Sequence, residues 1–163
     1  MASETTATLR GDVGDRVLAE LVNMKAVLQR WEREGIKLLP AHEESEVVAA
    51  LRRLGRPFSQ NIVRLYCATG GMADGEMDNQ MFSVWTLDKL VVENSKHMRP
   101  HILFGDFLID SHSYGLKYED AENSSVYVDY FGGEPPQRVA DSLDEFFYLY
   151  LSDPSKIRLW GET

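Results

Sequence analysis

The sequence predicts a single α+β domain, and three features predict it. Apolar residues recur at helical spacings up to Gly70, give way to short alternating runs between Phe82 and Tyr130, and return to a helical pattern near the C-terminal end. The chain of 163 residues has the length of one domain and can bury roughly two thirds of its unfolded surface. With 44% hydrophobic and 26% charged residues, its composition is that of a globular protein, neither disordered nor fibrous.

Taken in order, residues 1–12 are small and polar and are expected to be disordered, and residues 13–163 to form the domain. Val17, Leu21, Met24, Leu28 and Trp31 are spaced by four, three, four and three, one stripe of an amphipathic helix over 13–35, with Asp12 or Asp15 as its cap and Gly35 at its end. The pattern is short for a coiled coil, so the stripe is expected to pack on its own domain, with a weak homodimer through this helix as the other option.

A second helix is expected from His42 to Leu54, with Glu43, Glu44 and Glu46 suiting its positive end, Val47, Leu51 and Leu54 facing inward, and Gly55 stopping it. Ser59 is placed to cap a third helix whose apolar set is Ile62, Val63, Leu65 and Tyr66, ended by Gly70 and Gly71. A loop at 72–81 and a short strand with Phe82, Val84 and Trp85 lead to a helical stretch from Leu87 to Val92. Strands are expected at 102–109, 113–118 and 125–130, and Pro135 and Pro136 break the pattern. Ser142 and Glu145 form the S-x-x-E of a capping box that opens the last helix, with Phe146, Phe147, Leu149 and Tyr150.

The formal charge of -9 argues against broad contact with a nucleic-acid backbone, which needs clustered cations. Residues 1–58 carry nine basic and nine acidic side chains, so the whole excess lies in residues 59–163; between 103 and 153 only Lys117 and Arg138 face eleven acids. No apolar run approaches the roughly 20 residues of a membrane span, and the N-terminus lacks the apolar core of a signal peptide. A cytoplasmic location with no membrane partner is expected, which suits the lone Cys67.

The common catalytic constellations each require a fixed spacing of residues. The glycines never form G-x-G-x-x-G or a phosphate loop. With one cysteine and His42, His97, His101 and His112 scattered, neither H-E-x-x-H nor C-x-x-C occurs, so no zinc is expected. Asp74, Glu76 and Asp78 alternate as in a calcium loop, but Asn79 stands at the glycine position and Trp85 at the bidentate glutamate, so a solvated acidic loop is expected. Cys67 follows Leu65 and Tyr66 and reads as a core thiol. Ser111 and His112 sit on an extended chain where neighbours point apart, and Asp106 and Asp110 read as acidic-surface or turn residues more than a carboxylate pair. No catalytic residue, metal or cofactor is expected.

The run PAHEESEVVAALRRLGRPFSQNIVRLYCATGG, then FSVWTLDKL, ILFGDFLIDSHSYGL, SVYVDY and VADSLDEFFYLYL together resemble the SUKH superfamily, which includes the yeast cell-wall (glucan) synthesis regulators and many bacterial immunity proteins. The resemblance spans about residues 38–152. Leu54-Gly55 with Pro57 resembles the family's helix-to-helix turn, Leu65-Tyr66 with Gly70-Gly71 its helix end, and Trp85 the aromatic before the short helix. Phe104-Gly105-Asp106 and Asp110 resemble the central strand-turn motif, and Ser142 with Phe146 the last helix. Phe58 departs from the usual Leu-Pro, and Phe107-Leu108-Ile109 replaces a small, glycine-rich turn.

The resemblance implies one mixed or antiparallel sheet flanked by helices, no cofactor, and function by binding protein, most often as an immunity protein that neutralises a toxin, commonly a nuclease. The alternative within the superfamily is a regulatory scaffold like the glucan synthesis regulators. Candidate partner contacts are Asp74, Glu76, Asp78, Asp106, Asp110, Glu119, Asp120, Glu122 and Asp129, forming an acidic surface. Trp85 joins them as a possible anchor, although a strand-borne Trp beside Phe82 and Val84 is more often core.

Overall fold

A computed structural model describes residues 22–96, 99–108 and 111–159. The expected disorder at 1–12, the caps Asp12 and Asp15, and Asp110 lie outside the described residues. Among the described residues three helices come first: α1 (Val22–Arg33), α2 (Glu44–Arg52) and α3 (Gln60–Ala68). Strand β1 (Phe82–Val84) and α4 (Leu87–Lys96) follow. Then come β2 (Ile102–Phe107), β3 (His112–Tyr118), β4 (Ser124–Asp129) and β5 (Gln137–Ala140), before α5 (Leu143–Ser152) and a 3-10 turn (Pro154–Ile157). The strands form one antiparallel sheet in the order β1-β2-β3-β4-β5, so the chain is the α+β fold expected.

The alternation that predicts the strands also builds the core. Tyr114 and Leu116 on β3 stand opposite Val128 and Val126 on β4, and all four are buried. With Phe82 and Phe104 they receive Phe146 and Tyr150 from α5, and Phe146 meets Tyr114 edge to face at 5.1 Å. Met24, Val27 and Trp31 on α1 enter the same core, Trp31 edge-on to Phe147 and Tyr150. The stripe of α1 therefore packs inside its own domain where it is described, with Val27 in place of the half-buried Leu28 as its third inward residue. Gly70 admits no side chain, since a Cβ there would lie 2.2 Å from the Pro40 carbonyl oxygen.

Four local expectations are corrected. Ser59 has the extended backbone of an N-cap, but its hydroxyl does not cap α3; it donates to the Asp120 and Asn123 carbonyls instead. α4 continues to Lys96, because Asn94 is held by both the N–H and the C=O of Leu103 on β2. β5 arises directly after Pro135-Pro136: the prolines sit outside the ladder, and β5 is an edge strand paired only with β4. Of the expected capping box only half forms: Ser142 Oγ accepts from the Glu145 amide at 3.0 Å, but the Glu145 carboxylate takes the amide of Asp141 instead of that of Ser142.

Candidate functional site

The acids expected to form one surface divide into two groups. Asp78, Asp106 and Asp129 are not on the surface at all: their exposures are 4%, 4% and 1%. Each is buried because it collects donors, as a buried charge must. Asp78 takes the amides of Gln80 and Phe82 on Oδ1 and the Trp31 indole and Tyr150 hydroxyl on Oδ2. Burial still pushes its carboxyl above the usual range, against the pull of those bonds. Asp129 pairs with Arg99 at 2.6 Å and accepts from the Phe131 amide. Asp106 accepts from Trp85 Nε1 at 2.9 Å and lies 3.9 Å from Lys89 Nζ. Trp85 itself is 4% exposed, so it is a core side chain, as the preference for a strand-borne Trp anticipates.

The remaining acids fall in two separate places. Asp74 is exposed in the turn at 73–76, and the neighbouring Glu76 accepts from the Lys37 amide. This loop lies against the β1 edge of the sheet, close to Thr86 and Lys89. Glu119, Asp120 and Glu122 occupy the β3–β4 turn, at the far side of the sheet. Asp120 Oδ1 accepts from the amides of Glu122 and Asn123, which makes it the organiser of that turn. Glu119 takes the Ser125 hydroxyl, and Glu122 pairs with Arg64 of α3 at 2.8 Å.

The β3–β4 turn is brought beside the start of α5. Asn123 Nδ2 donates to the Asp141 carbonyl, and Arg138 lies between Glu119 and Asp141, 3.7 and 3.0 Å from their carboxylates. Glu119, Asp120, Glu122, Asp141 and Glu145 are exposed here. Below them opens a cavity of about 330 Å³ between α1, α3, the turn and α5. Its wall is apolar at Met24, Leu65, Leu143 and Phe147 and polar at Asn61, Arg64 and Asp144.

The polar side chains of this cavity are oriented from outside it. Asn61 is 8% exposed, and its Nδ2 donates to Asn123 Oδ1 and to the Ser124 carbonyl; two acceptors on one end fix the amide, so Oδ1 is the free end. Asp144 Oδ2 accepts from Asn23 Nδ2 at 3.0 Å. Asn61 Oδ1 and Asp144 Oδ1 are both buried with no hydrogen-bond partner among the described residues. Burial raises the Asp144 carboxyl above its usual range, against the Asn23 bonds.

Sequence reasoning missed Asn61, Arg64, Asp141 and Asp144. Asp144 was hidden by the capping box, which accounts for acids at its position without any further role. Asn61 and Arg64 interrupt the apolar set of α3 at a spacing of three, on the face that also carries Leu65, and that interruption is the signal that could have found them.

The side chains that suggested chemistry are set for other work. Burial first, then Glu44 and Glu43, push the half-buried Cys67 thiol up, away from the thiolate a nucleophile needs. His112 is buried, stacked on Phe107, and held at 3.1 Å from the Tyr114 hydroxyl, while Ser111 beside it is exposed. No group of His, Cys, Asp and Glu among the described residues could hold a metal ion. No helix among them is long and apolar enough to cross a membrane. No family model matches the chain, and no curated protein is recognisably similar to it.

Proposed function

We propose that this protein is a non-enzymatic binding domain of the immunity type, which engages a basic partner, a nuclease toxin being the leading case, in the cytoplasm. The observation that carries the reading is the convergence of five exposed acids, Glu119, Asp120, Glu122, Asp141 and Glu145, around an apolar cavity. A nuclease presents cations that hold a phosphate backbone, and an acidic face competes for them and accelerates encounter at low salt. The apolar wall supplies what exposed ion pairs do not, since those are worth little once solvated. The order of motifs resembling the SUKH superfamily points the same way.

The regulatory-scaffold alternative needs α1 as an assembly seam. Met24 and Trp31 already pack inside the domain, which is why the immunity reading comes first. The test is calorimetric titration of the purified protein with the toxin domain encoded beside it, at low and at physiological salt. Affinity should fall with salt, and the double reversal Glu119→Lys with Asp141→Lys should weaken it. An affinity indifferent to both, in a variant that keeps its melting temperature, would remove the acidic face from the reading.

A further inference from the structure

We infer that the cavity between α1, α3 and α5 receives one alkyl-ammonium or alkyl-guanidinium group, the side chain of a lysine or arginine presented by a basic partner protein. The inference deepens the proposed function and rests on it for the identity of the partner, but not for the chemistry of the cavity.

Two buried acceptors, Asn61 Oδ1 and Asp144 Oδ1, have no donor among the described residues, and both residues line this one cavity. A buried acceptor without a donor costs free energy, so a ligand that brings N–H groups recovers it. The charge balance selects the donor. Among the described residues that line the cavity, Arg64 pairs with Glu122 at 2.8 Å and Asp144 adds a second carboxylate, so the lining carries one guanidinium and two carboxylates. A cation with several N–H groups answers both acceptors; an alcohol or a neutral amide brings fewer donors and no charge. The walls of Met24, Leu65, Leu143 and Phe147 suit the methylene stem of such a side chain. The exposed acids around the mouth extend the negative charge beyond the reach of a small amine, and that complementarity favours a basic protein surface over a free metabolite.

The experiment titrates n-butylammonium chloride into the isotope-labelled full chain and follows the backbone amide resonances of Asn61, Leu65 and Leu143. Saturable shifts in the millimolar range are expected, with n-butanol at least about tenfold weaker. Asp144→Asn should weaken n-butylammonium about tenfold while holding the melting temperature, because asparagine still offers Asn23 an acceptor. Asp74→Asn, at the other edge of the sheet, should change nothing. Silent amides, an equal response to n-butanol, or full affinity in Asp144→Asn overturns the assignment.

A second arm compares n-butylammonium with a glycyl-lysyl-glycine peptide. The peptide should bind at least as tightly and also shift Asn123 and Asp141 at the mouth. Binding of the free amine with exclusion of the peptide overturns the assignment to a protein side chain. Cavity binding without any toxin affinity removes the immunity reading and leaves the cavity chemistry standing. Toxin affinity unchanged by Asp144→Asn separates the two in the opposite sense and refutes the lysine or arginine anchor.

Discussion

The indole Nε1 of Trp31 donates to the carboxylate of Asp78 at 3.0 Å, inside the aromatic core. That bond joins α1 to the loop before β1, and the Tyr150 hydroxyl reaches the same Oδ2 from α5. With the amides of Gln80 and Phe82 on Oδ1, one side chain ties three remote segments together. Asp78 was expected in a solvated loop; its position is instead the junction around which the N-terminal helix, the sheet edge and the C-terminal helix meet.

Asp78→Asn should therefore destabilise the fold by about 1–3 kcal/mol, because the amide nitrogen turns a donor toward donors. Chemical denaturation should show the loss as a lower midpoint with an unchanged slope. Asp78→Ala should cost at least as much, since it strands the Gln80 and Phe82 amides. Wild-type stability in Asp78→Asn would mean that the junction contributes nothing net.

Stability should decline as pH falls below neutrality, and His112 is the main cause. Burial, aided by Arg158, pushes its pKa from 6.5 down to about 4. The unfolded chain then takes up a proton before the folded one does, so stability is full above about 6.5 and is lost as pH falls toward 4. His101, also depressed by burial, adds in the same direction. Asp78 acts oppositely: its raised carboxyl favours the folded state at low pH and loses that contribution as pH rises through its folded value. Melting temperatures measured across this range should have a shallower slope in His112→Gln than in the parent.

Trp85→Ala should cost about 3–5 kcal/mol, the price of a cavity where a large buried ring stood. Trp85→Phe isolates the polar share, because it keeps most of the ring and removes the Nε1 bond to Asp106. Its melting temperature should fall between those of Trp85→Ala and the parent. A folded Trp85→Ala of undiminished stability would return Trp85 to the list of interface anchors.

Gly71→Ala should be among the most damaging single changes. Its φ is +94°, where a side chain is strained, and a Cβ there would lie 2.4 Å from the Trp85 carbonyl oxygen. The Tyr66 hydroxyl donates to that same carbonyl at 2.7 Å, so the backbone cannot retreat without breaking a buried bond. Expression of Gly71→Ala should yield little folded protein by near-ultraviolet circular dichroism. Gly35→Ala is the contrast, since its Cβ would meet nothing within 4 Å and only the strain at φ +76° applies.

Much of the fold was legible because it follows from local periodicity. Ile62, Val63, Leu65 and Tyr66 announce α3, and Val126 and Val128 announce β4, since a buried face imposes its spacing on the residues that make it. β5 was not legible: Gln137–Ala140 is four residues long, exposed over its first half, and preceded by two prolines, so no alternating burial pattern marks it. The turn after β2 was half legible. Leu108 adopts φ +51° with its amide held by the Met81 carbonyl, a tertiary bond that sustains a conformation glycine would ordinarily supply.

By itself the sequence determined the α+β class, the core faces of α2, α3 and α5, the N-cap at Ser142, and the concentration of negative charge beyond residue 58. Tertiary structure alone decided which of those charges face water. Asp78, Asp106 and Asp129 read exactly like Asp74 or Asp120 in one dimension, because burial of a carboxylate depends on donors such as Trp31, Trp85 and Arg99 that lie far along the chain. The same holds for the candidate site. Asn61, Glu122 and Asp144 belong to three separate elements, and only the docking of α5 beside the β3–β4 turn gathers them around one cavity.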